Sequence, residues 1–201
     1  MTRIAVIDFE TTGGSPALGD RATEVAIVML EHGRVVDRYQ SLMNAGRRIP
    51  AFISQLTGIT NAMIAAAPPA DAVMREAAHF VGDAPMAAHN AAFDRRFWQA
   101  ELAAAGCAAT QPFVCTVMLS RRLYPDAPDH RLGTLATFHD LPATGQAHRA
   151  LADAEMAAAL LCRIQEDLRG PGDRGRCDHA WLMRLQACPK AQLGRLLAEV
   201  A

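Results

Sequence analysis

The sequence predicts a soluble α/β protein in which helices pack closely on a largely buried sheet. Hydrophobic residues make up 51% of the 201 positions and aromatic residues only 5%, while alanine is abundant, a composition typical of small-residue helices lying on a sheet. Three strand patterns come first along the chain, and helical patterns alternating with short apolar strands follow them. The length exceeds one average domain and falls short of two, so we expect one compact unit with an appendage.

The first three elements are predicted to form an antiparallel meander. Residues 3–9 are a nearly continuous apolar run, and the glycine- and threonine-rich segment 11–16 after it predicts a turn. Two further strands are predicted at residues 24–30 and 34–42. Only residues 31–33 separate them, and this length, together with a glycine, favours a hairpin connection.

The rest of the chain is predicted to be mainly helical. Pro68 and Pro69 open a helix expected over residues 70–81, and a second long helix follows Asn90 and ends near Gly106. Short strands and further helices are expected in the following segments: strands at 85–88 and 113–115, and helices at 117–124, 132–139 and 150–168.

The composition changes after residue 169. Residues 170–175 read Gly-Pro-Gly-Asp-Arg-Gly, a density of glycine and proline that sustains neither helix nor strand. We therefore predict a main domain at residues 1–169, a linker at 170–177 and a helical tail at 178–201. Asp178 is expected to cap the first tail helix, and apolar residues recur in the tail at helical spacing.

Charge and cysteine content exclude several classes of protein. The chain has 20 basic and 21 acidic residues, so it lacks the overall positive field that coats duplex nucleic acid. Five irregularly spaced cysteines argue against a disulfide framework and predict a reducing compartment, the cytoplasm. The first apolar run is too short for a signal peptide core, and no stretch approaches membrane-spanning length.

The first chemical signal is a pair of acids at the end of the first predicted strand. Asp8 and Glu10 are two residues apart, so the strand period points both carboxylates to the same side. Converging carboxylates repel each other unless a proton or a cation relieves them, and magnesium prefers carboxylate oxygens. Taken alone, an Asp-x-Glu pair is weak, because a strand end exposed to water explains most such cases.

Two later segments supply further candidates. Asp94 lies near the start of a predicted helix, where a carboxylate that complements the helix dipole is the simplest interpretation. Asp153 falls on or beside the apolar face of the last long helix, where a carboxylate needs a partner. His148 precedes that helix by a residue or two, so loop geometry can bring it to the same cluster, although a surface histidine is an equal interpretation.

Together these segments resemble, in the same order, the motifs of the DEDDh exonucleases. This family contains the proofreading subunit of bacterial replicative DNA polymerase and several RNA-trimming enzymes. The likeness extends over roughly residues 3–166 and includes the segments 10–13, 56–59 and 88–94. Family members often carry Asp-Thr where this chain has Cys115-Thr116, a position outside the catalytic set. A related group has a tyrosine shortly before the last acid; this chain has none there, so the histidine variety matches better.

The resemblance implies an RNase H-like fold, a mixed five-stranded sheet flanked by helices, here with a short C-terminal helical extension. It also implies two Mg²⁺ ions, for which Mn²⁺ can substitute. One ion would be held by Asp8, Glu10 and Asp153, and the other by Asp8 with Asp94 acting mainly through water. His148 would accept the proton of the attacking water.

The resemblance further assigns a substrate site. Phe9, Thr11, Thr12 and Leu56 would surround the terminal nucleotide and Asn90 would lie near its phosphate, although turn and core packing explain Phe9 and Leu56 equally well. The expected activity is 3′-to-5′ hydrolysis of single-stranded or frayed DNA to nucleoside monophosphates. The alternative is a 3′-to-5′ exoribonuclease that trims RNA or degrades oligonucleotides. A third class, an inactive module that only binds nucleic acid or a polymerase, is disfavoured because all catalytic positions are filled.

The tail is predicted to pack on its own domain or within a homodimer, and docking on a polymerase is the alternative. Every predicted catalytic residue precedes the linker. A chain that ends at Arg169 is therefore expected to stay soluble and active.

Overall fold

One mixed sheet of five strands forms the centre of the protein. The computed structural model describes residues 3–142, 145, 148–169 and 178–198. Its strands, in chain order, are β1 (Ile4–Thr11), β2 (Ala22–Glu31), β3 (Arg34–Leu42), β4 (Met86–Ala88) and β5 (Phe113–Cys115). Their spatial order is β3-β2-β1-β4-β5. The first three strands pair antiparallel, and β4 and β5 continue the sheet in parallel with β1. The predicted meander and the five-stranded mixed sheet are confirmed.

Helices cover both faces of this sheet. They are α1 (Ala51–Thr57), α2 (Asn61–Ala65), α3 (Ala70–Val81), α4 (Ala91–Ala104), α5 (Thr116–Leu123), α6 (Leu132–Phe138), α7 (Ala150–Leu168), α8 (His179–Ala187) and α9 (Leu193–Leu197). Residues Ala70–Val81 and Ala150–Leu168 are helical as predicted, and β3 has its predicted ends. The strand β1 continues to Thr11, beyond the predicted end at Phe9, because β2 pairs with it as far as Ala22.

The alternation of side chains along β1 separates two cores. Ile4 and Val6 point to the face covered by α7, whereas Ala5, Ile7 and Phe9 point to the face covered by α3 and α4. The period of two continues to the carboxyl end of the strand. Asp8 and Glu10 therefore lie on the α7 face at the carboxyl end of β1, and α7 packs directly on this part of the sheet.

The described part of the tail packs on the same domain. The Asp178 side chain accepts a hydrogen bond from the backbone N–H of Trp181 at 2.8 Å, so the predicted helix cap is confirmed. Trp181, Leu182 and Leu185 are buried in the core cluster that contains the inner face of α7. Packing on its own domain, one of the expected arrangements of the tail, is therefore observed, and the predicted linker at 170–177 lies outside the described residues.

The helix α8 also completes the outer edge of the sheet. The side chain of Gln186 accepts a hydrogen bond from the backbone N–H of Cys115 at 2.7 Å and donates one to the carbonyl of Phe113 at 3.0 Å. These groups belong to β5, the strand at the sheet edge. Removal of α8 would expose both apolar core and strand edge, which argues against the expectation that a chain ending at Arg169 stays soluble and active.

Within the described residues, no helix combines the length and the apolar character that crossing a membrane requires.

Candidate active site

Three carboxylates converge at the carboxyl end of β1. Asp8 and Glu10 share the α7 face of the strand, and Asp153 reaches them from the first turn of α7. One oxygen of each lies within 4.8 Å of the others. Three hard oxygen donors at this spacing are a suitable ligand set for a divalent cation, so the residues fit the metal ion that the resemblance implies.

The pKa values of all three carboxyl groups are raised, so without a cation these groups hold their protons more tightly than exposed carboxyl groups do. Burial raises the pKa of Asp8 well above its ordinary value, and the negative charges of Asp94 and Glu10 raise it further. The pKa of Glu10 rises to about 7, first because of burial and then because of Asp153 and Glu24. Burial also raises the pKa of Asp153. These carboxylates repel each other when ionised, and either protons or a cation relieves the repulsion.

Asp94 approaches the same strand end from the opposite face of the sheet. It is 2% exposed in the first turn of α4, and its Oδ1 accepts a hydrogen bond from the backbone N–H of Phe9 at 3.2 Å. Burial is the main cause that raises the pKa of this carboxyl to about 8. Asp94 is outside the group of three described carboxylates that lie within 4.8 Å. Its predicted action through water therefore stays a prediction.

Loop geometry brings His148 to the mouth of the site. Its side chain is exposed and lines the same cleft as the carboxylates. Its backbone N–H donates to Oδ2 of Asp153 at 3.2 Å. The backbone of His148 is left-handed, with φ of 60°, a conformation uncommon for a residue other than glycine.

The carboxylates and His148 lie in an open cleft of about 430 Å³ whose other residues are mostly apolar. The predicted substrate residues Phe9, Thr11 and Leu56 line it. Its remaining lining residues are Gly13, Gly14, Phe52, Ile53, Thr57 and Phe93. Phe52 and Leu56 lie one turn apart on α1 and are 65% and 51% exposed. Large apolar side chains at the mouth of a cleft offer a surface for flat π-faces such as those of nucleobases.

Thr12 and Asn90, also predicted to contact substrate, lie outside the set of residues that lines the cleft. Thr12 is 4% exposed, and its hydroxyl accepts a hydrogen bond from the backbone N–H of Arg21 at 3.0 Å. Asn90 is exposed with φ of 66°, and it turns the chain from β4 into α4. Both residues hold backbone geometry beside the site, and their contact with substrate stays a prediction.

The sequence interpretation missed four residues of this region. Phe52 and Phe93 join the cleft; Phe93 lies within the segment 88–94, and Phe52 precedes the segment 56–59 by one helical turn. Glu24 and Arg149 form an ion pair at the inner end of the site. The signal for Glu24 is an acid at the start of an otherwise apolar strand pattern, since a charge buried there requires a partner.

The sequence and the fold of this chain match known proteins. Residues 5–161 match the family described as Exonuclease, RNase_T. The chain belongs to this exonuclease family. The predicted resemblance to DEDDh exonucleases is thereby confirmed, and the chain is a nuclease by family.

Curated relatives match over most of this chain. It is 39% identical over 172 residues to the 3′-5′ exonuclease DinG of Bacillus subtilis, a match that covers 83% of this chain and 18% of DinG. It is 36% identical over 196 residues to the PolC-type DNA polymerase III of Bacillus cereus, covering 89% of this chain and 14% of that protein. The chain thus spans less than a fifth of the length of these two relatives.

Solved structures share the fold. Exonuclease X in complex with 5′ overhanging duplex DNA superimposes with a TM-score of 0.66 at 26% identity, covering 96% of this chain and 99% of that one. Exonuclease I of E. coli in complex with a dA16 oligonucleotide gives a TM-score of 0.68 at 18% identity, over 84% of this chain and 43% of that one. These similarities confirm the predicted RNase H-like fold.

Proposed function

We propose that this chain removes nucleotides one at a time from the 3′ end of single-stranded or frayed DNA and releases nucleoside monophosphates. The observation that carries the proposal is the convergence of Asp8, Glu10 and Asp153 in a cleft with an apolar rim. Family membership supports exonuclease chemistry. The name of the DinG relative supports the 3′-to-5′ direction, and the duplex DNA bound to exonuclease X supports DNA as the substrate.

The proposed cofactor is a pair of Mg²⁺ ions, with Mn²⁺ as a substitute. Asp8, Glu10 and Asp153 would hold one ion, and Asp8 with Asp94 would hold the other. When bound, such ions supply Lewis-acid stabilisation of the charge that develops on the phosphate and on the leaving oxygen. The raised pKa values of Asp8 and Glu10 support this assignment, because burial and then mutual repulsion disfavour the ionised carboxylates, and a bound cation would relieve both.

His148 is proposed as the general base that takes the proton of the attacking water. Its exposed side chain lies where solvent enters the cleft, and its backbone is tied to Asp153. A general base must reach the proton that it removes, and this tether keeps the imidazole beside the carboxylates.

The apolar rim is proposed to bind the terminal bases. Stacking on Phe52, Leu56 and Phe93 would tolerate any base, because every base has a π-face. A base can stack on these side chains only after it leaves its own helical stack. The rim therefore favours single strands and frayed ends over intact duplex.

The proposed partner is the 3′ end of a single-stranded nucleic acid, with DNA favoured over RNA. An enzyme that grips a few terminal nucleotides does not need the overall basic charge that this chain lacks. The PolC-type relatives are named DNA polymerases, which is the basis for polymerase docking as an alternative role of the tail. Burial of Trp181, Leu182 and Leu185 in their own domain supports intramolecular packing instead.

A ladder experiment tests the proposal. Matched 5′-labelled DNA and RNA single strands are incubated with the protein and Mg²⁺, each with a free or a blocked 3′ end. We expect DNA to shorten one nucleotide at a time at least as fast as RNA, and only when the 3′ hydroxyl is free. Rapid trimming of RNA with DNA left intact would replace this proposal with the exoribonuclease alternative, and internal cuts in blocked strands would refute exonuclease polarity.

A further inference from the structure

A buried glutamate lies beside the carboxylate cluster without belonging to it. Glu24 of β2 is the direct cross-strand neighbour of Glu10, so both side chains project from the same face of the sheet. Glu24 is fully buried, and both of its oxygens are occupied by donors. Its Oε1 accepts from Nε2 of Gln40 and from Nη2 of Arg149, each at 2.8 Å. Its Oε2 accepts from Nε of Arg149 at 3.2 Å and from the backbone N–H of Ala150 at 3.1 Å.

Three of these four hydrogen bonds hold the residues that follow His148. Arg149 is bound by its forked guanidinium and Ala150 by its backbone, so the start of α7 is fixed to β2. On the other side, the backbone N–H of His148 is bound to Asp153. His148 itself is in the left-handed conformation, with φ of 60°. Such a conformation persists at a residue other than glycine where the surroundings hold it, and it is enriched at functional sites.

We propose that Glu24 and Arg149 form a clamp that positions His148 for proton transfer. Arg149 is a positioning residue in this account, because it acts through the backbone next to His148. The bidentate geometry matters, since two parallel hydrogen bonds fix the direction of the guanidinium as well as its distance. The inference rests on the proposed function, in which His148 is the general base.

Two other effects of Arg149 must be separated from positioning. Its charge lowers the pKa of Glu10, so its loss would increase repulsion in the carboxylate cluster. Its loss would also leave Glu24 as an unpaired buried charge, which destabilises the fold. Both effects are independent of the imidazole of His148, whereas positioning disappears when that imidazole is absent. The informative comparison is therefore the effect of Arg149→Met with and without His148→Ala.

The chain contains a closely matched control pair. Arg21 donates from Nε and Nη2 to Glu101 at 2.9 and 2.8 Å, and the backbone N–H of Ala22 also donates to Glu101 at 2.9 Å. The arginine side chains of the two pairs are equally exposed, at 34%, and their glutamates are 2% and 1% exposed. Arg21→Met thus breaks a similar ion pair that does not adjoin His148, together with one further hydrogen bond, from Nη1 of Arg21 to the carbonyl of Ala45 at 3.2 Å.

The experiment measures kcat and KM on a 5′-labelled DNA single strand at saturating Mg²⁺, using the full chain. Arg149→Met is expected to lower kcat by about 10- to 100-fold, the size of effect that a small misplacement of a catalytic group produces, with KM changed by less than about 2-fold. In the His148→Ala background the same substitution is expected to change kcat by less than about 2-fold. Any effect of Arg21→Met should multiply with that of His148→Ala, because the control pair does not act through the imidazole.

Each outcome decides the inference. If the Arg149→Met and His148→Ala effects multiply, as they would for a merely structural or electrostatic role, the clamp does not position His148. If His148→Ala alone cuts at the wild-type rate, the proposed general base is wrong and the inference falls with it. If Arg149→Met does not fold, the double variant Glu24→Gln/Arg149→Met removes both charges together and is compared in the same way. A double variant that retains wild-type kcat would also overturn the clamp.

Discussion

Neutralising Glu10 should make the metal-free protein more stable at alkaline pH while it abolishes cleavage. The pKa of Glu10 rises from 4.5 to about 7 in the folded protein. The folded state therefore binds this proton more tightly than the unfolded chain does. Stability from this group is fully present below about pH 4.5 and is lost as the pH rises through about 7.

The rise in pKa sets the size of the effect. At about 1.4 kcal/mol for each pKa unit, the ionised Glu10 destabilises the metal-free fold by up to about 3 kcal/mol at pH 8.5. Glu10→Gln removes the titration and also relieves part of the repulsion on Asp8. We expect the variant to gain about 1–3 kcal/mol in unfolding free energy at pH 8.5 and much less at pH 4.5. In Mg²⁺ the gain should shrink, because a cation bound only to the folded wild type stabilises it.

Urea unfolding in EDTA, at pH 4.5, 6.5 and 8.5, measures this difference. Glu166→Gln is the matched control, because it makes the same substitution at an exposed position of α7, and its stability should change by less than about 0.5 kcal/mol. A Glu10→Gln protein that is less stable than wild type at pH 8.5, or a gain that does not grow with pH, would refute the electrostatic account of the cluster.

Three further predictions test other parts of the account. Phe52→Ala should raise KM for single-stranded DNA by about 5- to 100-fold with little change in the melting temperature, because the side chain is 65% exposed at the mouth of the cleft; an unchanged KM would remove Phe52 from the substrate site. His148→Ala should lower kcat by about 100-fold or more while Mg²⁺ binding persists, as titration calorimetry can show; lost Mg²⁺ binding would make His148 a ligand instead. A chain that ends at Arg169 should be destabilised by at least about 3 kcal/mol, since it loses Trp181 and two buried leucines. A soluble truncated protein with the wild-type melting temperature would show instead that the tail is a separate unit.

The sequence predicted the elements whose local pattern agrees with their surroundings. Glycine or proline, or an uninterrupted apolar stripe, marks the elements that were predicted with correct ends: the strand at Arg34–Leu42 and the helices at Ala70–Val81 and Ala150–Leu168. Asp8 and Glu10 were placed on one face of β1 by the strand period alone. The link to Asp153 and His148 came from resemblance, because no local rule relates residues that are more than a hundred positions apart.

The roles of three other residues depend on contacts between distant parts of the chain, which local sequence patterns do not reveal. Gln186 binds the edge of β5, which a helical pattern in an apparent tail does not reveal. The partner of Glu24 lies 125 residues away, so its role at the site depends on the packing of α7 against β2. Asp94 reaches the site from the opposite face of the sheet, where its carboxylate accepts a hydrogen bond from the backbone N–H of Phe9.

Release of mononucleotides from a single strand with a free 3′ hydroxyl tests the central claim most directly. Wild-type protein and Asp8→Asn are incubated with 5′-labelled DNA in Mg²⁺ or in EDTA, and both the shortened strands and the free nucleotides are quantified. We expect stepwise shortening with one nucleoside monophosphate for each nucleotide lost, by the wild type in Mg²⁺ only. Equal release in EDTA, or by Asp8→Asn, would contradict a metal-dependent site built on Asp8.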